Sequence, residues 1–87
     1  MQAIQVQTTV TELAPAGNRD FLHIFNNSDV VIYVSWDGTN STVAGGWPLY
    51  PNGGFTLDNT GPRTIFNKRV TAIHGGSGDK EVRIQGA

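Results

Sequence analysis

One stretch, DFLHIFNNSDVVIYVSW from Asp20 to Trp36, constrains the fold of this chain more than any other. Two apolar runs, residues 21–25 and 30–36, flank the polar break Asn26-Asn27-Ser28-Asp29. The runs are rich in β-branched and aromatic side chains, which suit a pleated, half-buried surface. The break is built from residues that bond their own backbone and accept turn conformations. The pattern predicts a β-hairpin at the centre of an all-β core. In the second run Val30, Ile32, Val34 and Trp36 share one face, and Val31, Tyr33 and Ser35 share the other. Neither face is fully polar, so this strand is expected to be central and covered on both sides.

The flanking sequence extends the same reading. Ile4, Val6 and Val10 alternate with Gln5, Gln7, Thr9 and Thr11, predicting one long first strand that ends at Ala14-Pro15-Ala16-Gly17. Asp37-Gly38 marks a turn. Residues 38–52 lose regularity and are expected to form a long connection, ending in the stiff segment Trp47-Pro48-Leu49-Tyr50-Pro51. A short strand holds Phe55 and Leu57. Residues 63–67 form a short strand or irregular edge, and residues 69–74 another strand. The glycine loop 75–78 makes a hairpin into a last strand over residues 81–85. No stretch keeps apolar residues at helical spacing. The expected fold is therefore all-β, a single small antiparallel β-sandwich over residues 1–87, jelly-roll-like or Ig-like, with about seven strands. Its expected core is Ile4, Val6, Leu22, Ile24, Ile32, Val34, Leu57, Val70, Ala72, Val82 and Ile84.

Composition bounds the function. A domain of 87 residues buries only about 60–65% of its unfolded surface, so help from self-association or a partner is expected. The absence of cysteine removes disulfides, cysteine-based zinc sites and thiol nucleophiles. A formal charge of −1 gives no electrostatic reason to expect nucleic acid or an anionic membrane, and no apolar run reaches the roughly 20 residues of a membrane span. No signal peptide is evident at the start of the sequence. Few charges and many Thr, Asn, Ser and Gln suit a protein that works in a large assembly or outside cells.

Chemical motifs are sparse. His23 and His74 sit among apolar residues on predicted strands, without the further ligands a metal needs. The acids Glu12, Asp20, Asp29, Asp37, Asp58, Asp79 and Glu81 fall at turns and strand ends, where turn formation accounts for them better than paired-carboxylate chemistry. Gly75-Gly76-Ser77-Gly78 precedes a strand rather than a helix, so it is read as a turn and not a phosphate loop. Arg63, Lys68 and Arg69 around Phe66 are too few cations to make a nucleic-acid patch. Asn26-Asn27-Ser28 and Asn40-Ser41-Thr42 match the glycosylation pattern and are read as turn chemistry. No catalytic residue, metal ligand or cofactor is expected. Two features point to contact instead. Trp36, Trp47, Pro48, Leu49 and Tyr50 form a candidate partner surface, with sandwich plugging as the rival reading of the tryptophans. Ile4, Val6, Thr8 and Val10 mark a long, nearly uncharged strand edge, expected to take part in a homo-oligomer, with a trimer favoured.

A set of positions also resembles a known group. Arg19-x-x-Leu22-x-Ile24-x-Asn26-Asn27-Ser28, Ile32-Tyr33-Val34-Ser35, Gly46-x-Pro48-Leu49, Gly53-Gly54 and Val70-x-Ala72-Ile73, followed by a glycine loop and a final strand, resemble small virion proteins of tailed bacteriophages. The resemblance runs from about Arg19 to Gln85 and involves turn and core positions, so it carries over no catalytic residue. It implies a compact β-sandwich and a non-enzymatic role as a capsid decoration (cement) protein that bridges the major capsid protein or other virion proteins. The implied place is the capsid surface, after synthesis in the bacterial cytoplasm. A head–tail or tail-fibre accessory role is the alternative within this group. A small carbohydrate-binding module stacking sugars on Trp36, Trp47 and Tyr50 is the alternative from another class.

Overall fold

A computed structural model describes residues 2–17, 21–58 and 68–86. Eight strands are present among them: β1 (Gln2–Val6), β2 (Thr11–Ala14), β3 (Phe21–Asn26), β4 (Ile32–Ser35), β5 (Trp47–Leu49), β6 (Gly54–Asp58), β7 (Val70–Ile73) and β8 (Lys80–Gly86). They form two four-stranded antiparallel sheets with orders β1-β8-β3-β6 and β2-β7-β4-β5. Apart from β4, which β5 follows in the same sheet, each strand leads into one in the opposite sheet. That order is the eight-stranded jelly roll, one of the two sandwich types expected from the sequence. The strand expected over residues 63–67 and the basic residue Arg63 lie outside the described residues.

The inward sets follow the alternation of the sequence. Val6, Leu22, Ile24, Ile32, Val34, Val70, Ala72, Val82 and Ile84 are buried, with Ile4 and Leu57 packed against them. Leu13, Ala14 and Leu49 join them without having been expected. In β2 the register against β7 shifts between Glu12 and Ala14, so two successive side chains turn inward and the period-2 signal is lost.

The central hairpin is absent. β3 pairs with β6 and β8, whereas β4 pairs with β5 and β7, so residues 27–31 form an arch from one sheet to the other. Asn26 holds this arch from inside. Its fully buried side chain donates through Nδ2 to the carbonyls of Val30 and Leu49, each at 2.8 Å. Its Oδ1 accepts from the Ser28 amide at 3.0 Å and the Ser28 hydroxyl at 2.6 Å. The β5–β6 crossing lies alongside, because Asn26 N donates to Gly53 O and Asn52 N to Asn26 O. That second crossing is a turn over Tyr50-Pro51-Asn52-Gly53, closed by Gly53 N to Tyr50 O at 2.9 Å with Asn52 at φ 61°. Proline second and a positive-φ asparagine third are what a type II turn requires.

The long first strand is likewise two strands in different sheets. Residues 7–10 make the crossing, anchored by Gln7 N to Thr11 Oγ1 and by His74 N to Gln7 O. The glycine loop after β7 also joins sheets and is not a hairpin. Buried His74 holds it: Nε2 donates to Gly78 O at 2.7 Å, and Nδ1 accepts from Gly76 N at 3.1 Å.

Expected cover on both faces of β4 is present. Ile32 and Val34 face the interior. On the outer face, residues 39–41 lie across β7 and β4: Ser41 N donates to Thr71 Oγ1, Thr71 Oγ1 to Thr39 O, and Ser41 Oγ to Tyr33 O, at 2.8–2.9 Å. Thr71 and Ser41 are buried by this strap. With β1 against β2 at one side, β5 and β6 occupy the opposite lateral edge of the sandwich.

Candidate functional site

The β5–β6 edge gathers Trp36, Trp47, Tyr50 and Phe55. Trp47, at the start of β5, is registered with Val34 on the inward side, yet stays 57% exposed because the sandwich ends there. Its ring packs at a tilt on Trp36, with centroids 6.0 Å apart, and Trp36 packs on Phe55 of β6 at 5.5 Å. Tilted contacts of this kind suit the charge distribution of aromatic rings. Trp36 and Phe55 are half-buried against the core, and Tyr50 is 64% exposed. The tryptophans therefore divide the two roles open to them: Trp36 closes the sandwich, and Trp47 stands outside it.

Past the Val34–Trp47 pair, β4 and β5 diverge into a shallow open groove of about 370 Å³. Trp36 and Trp47 form its apolar wall, Gly45 and Gly46 its opposite side, and Ser35 and Asp37 its polar groups. Asp37 is held in place by the turn it caps. Its Oδ1 accepts from the Thr39 hydroxyl and from the Thr39 amide at 3.1 Å, while Gly38 takes φ 90°. These two hydrogen bonds hold the Asp37 carboxyl below its ordinary value, so the groove carries a fixed negative charge at neutral pH. The arrangement can stack an aromatic, prolyl or sugar face and accept hydrogen bonds, and it shows no nucleophile beside a base.

Gly46 lets the chain pack close against β4 beside the groove. A Cβ there would stand 2.5 Å from Ser41 Oγ, which is bonded to Tyr33 O, and 2.8 Å from Tyr33 Cβ. Gly46→Ala is therefore expected to lower stability by about 1–3 kcal/mol in urea unfolding, the range for overpacking a well-filled site. A neutral result would mean that the strap over β4 moves freely.

Four of the five expected contact residues lie on this edge with some exposure, and one does not. Pro48 and Tyr50 are exposed beside Trp47, and Trp36 is half-buried behind it. Leu49 is a core residue opposite Ile32, because residues 47–49 form a strand rather than part of a loop. The second expected surface is split. Ile4 and Val6 lie on β1, with Val6 fully buried, whereas Thr8 and Val10 lie in the crossing that follows. The sequence marks Ser35 as a strand residue and Asp37, Gly45 and Gly46 as turn or linker residues, with no site role for any of them. Asp37-Gly38 marked the turn, but nothing local showed which aromatic it would face.

The other chemical candidates are engaged elsewhere. Asp29 pairs with Lys80 at 2.9 Å, and Glu81 bonds Asn27 and pairs with Arg83 at 2.9 Å. The hydrogen bond from Lys80 lowers the Asp29 carboxyl, and that from Asn27, then Arg83, lowers Glu81. His23 Nδ1 lies 2.8 Å from Thr56 Oγ1 across β3 and β6. Arg69 bonds Asn40, and Asn26 is too deeply buried to carry a glycan. Among the described residues no three of His, Asp and Glu converge on a metal position. Compared with protein-family models, with curated proteins and with solved structures, the chain matches none.

Proposed function

We propose that this is a non-enzymatic structural protein of a bacteriophage virion, most simply a capsid decoration protein that bridges neighbouring capsid subunits by surface contact. The observation that carries the reading is the exposed Trp47–Tyr50 edge, backed by Trp36 and stiffened by Pro48 and Pro51. A rigid aromatic edge loses little entropy on docking, and such residues commonly dominate interface energies. Jelly rolls serve as viral capsid domains, which is support by likeness of fold alone. The residues that carry the resemblance fit the same picture. Leu22, Ile24, Leu49, Val70 and Ala72 build the core, Asn26 and Gly53 shape the crossings and Gly46 the β4–β5 connection, so they specify the scaffold while the aromatic edge is free to recognise a partner. By mass action, a protein that binds only the assembled shell stabilises it.

Trp47→Ala tests the reading. The exposed ring adds little to folding, so stability should fall by about 1 kcal/mol or less. Binding to purified particles lacking the protein should weaken at least about tenfold. A mutant that melts early and binds normally when folded would remove Trp47 as an anchor. Copy number in purified particles separates capsid decoration, with many copies, from a head–tail or tail-fibre accessory, with few.

A second reading has its own support. The groove between Trp36, Trp47 and Asp37 offers a stacking face beside a fixed acceptor, as a neutral sugar requires, and lectin domains also use jelly rolls. A glycan array with Trp47→Ala as control decides it.

A further inference from the structure

The sandwich has edge strands, and they are not equally protected. Natural sheets blunt edges with charge, proline, bulges or short length. β2 carries Glu12 and a register irregularity, β5 has only three residues with Pro48 at its centre, and β6 ends in the charged Asp58. β1 has none of these devices. Its sequence QAIQV is uncharged, and it keeps an unbroken register with β8 over five pairs.

The backbone groups that β1 offers outward follow from the ladder. Glu81 O accepts from Asn27 N, so Glu81 turns its backbone groups toward β3. These groups alternate sides along an antiparallel strand. Those of Arg83 therefore also face β3, and those of Lys80, Val82 and Ile84 face β1. Gln2, Ile4 and Val6 are registered with Ile84, Val82 and Lys80 and bond to β8. Ala3 and Gln5 are left with N–H and C=O directed away from the sheet.

We propose that β1 pairs antiparallel with β1 of a second copy, about a two-fold axis through Ile4. Ala3 then exchanges two hydrogen bonds with Gln5 of the second copy, and Gln5 does the same with its Ala3. No like charges meet, because β1 has no charge. Ile4, half-exposed in the single chain, covers its own counterpart, and two four-stranded sheets become one of eight. The symmetry closes at two copies, in place of the three expected from the sequence. Nothing in this pairing depends on what the aromatic edge binds on the opposite side.

Two sets of variants of the full chain test it in solution without particles. Ala3→Pro removes an outward N–H and spares the β8 ladder, so the melting temperature should hold while dimerisation in sedimentation equilibrium weakens at least about tenfold. The chain has no cysteine, so single cysteines report proximity cleanly. Ile4 faces itself in a non-bonded pair, with Cα atoms about 4.5 Å apart, which suits a disulfide. Ile4→Cys should oxidise to a covalent dimer at least about tenfold faster than Ala3→Cys, whose opposite residue is Gln5. A wild-type chain that stays monomeric at high concentration, an association untouched by Ala3→Pro, or equal oxidation rates for the two cysteines would each overturn the proposal.

Discussion

Replacing Asn26 with alanine is expected to cost about 2–4 kcal/mol, a large share of the 5–15 kcal/mol typical of a whole domain. The side chain is fully buried and donates to the carbonyls of Val30, in the β3–β4 arch, and Leu49, at the end of β5. Without it the Leu49 carbonyl loses that donor in a place that water enters poorly, at about 1–3 kcal/mol, and the Val30 carbonyl is left with the Ser28 hydroxyl at 3.1 Å. The Ser28 amide and hydroxyl also lose their acceptor, but they are nearer to solvent. The urea midpoint should fall with the slope unchanged, since the fold and its exposed area on unfolding stay the same. A loss below about 1 kcal/mol would show that water replaces the amide and that Asn26 does not hold the crossings together.

Asn26→Asp separates hydrogen bonding from shape. The carboxylate would aim an oxygen at two carbonyl oxygens, so its folded-state pKa should rise above the unfolded value of about 3.9. A raised carboxyl pKa makes the variant's relative stability greatest below the unfolded value. That stability is then lost as pH rises through the folded one. Its deficit against the parent protein should therefore widen between acid and neutral pH. A deficit independent of pH would place the carboxylate in water and contradict the burial of residue 26.

The second large effect is expected at Ile32. This side chain is fully buried at the centre of β4, where Leu49 lies opposite it on one neighbouring strand. Ile32→Ala removes three carbons from a core too small to close around the gap, so the loss should be about 2–5 kcal/mol. Val31→Ala, on the half-exposed outer face, should cost clearly less. Similar losses at the two positions, or a loss below about 0.5 kcal/mol at Ile32, would mean that β4 is shifted by one residue and its faces exchanged.

Nearly all of the inward-facing set was legible without the structure, and the reason is local. Side chains alternate sides on any strand, so Ile32 and Val34, or Val82 and Ile84, declare one buried face whatever the strand pairs with. The turn chemistry was equally local: Asp37-Gly38 needs a backbone conformation that few other residues accept. Strand partners were another matter. A polar break such as Asn26-Asn27-Ser28-Asp29 reads the same whether the next strand folds back beside the last or crosses to the facing sheet. The choice depends on β6, β7 and β8, which lie far along the chain and occupy the positions a hairpin would have filled. Leu49 escaped notice because Pro48 and the surrounding glycines mask a three-residue strand, and Leu13 and Ala14 because a register shift breaks their alternation.

The functional edge divides along the same line. That Trp36, Trp47 and Tyr50 sit near loops and two prolines was plain from the residues themselves. Which tryptophan packs and which is exposed depends on Phe55 arriving from the other sheet, and on Gly46 letting the strap lie close over β4. The amino-acid sequence by itself determined which faces are apolar and where the chain turns, because those properties belong to single residues and near neighbours. Tertiary structure alone decided which strands meet, which edges stay open and what Asn26 and Asp37 face, because those outcomes rest on contacts between segments distant in the chain.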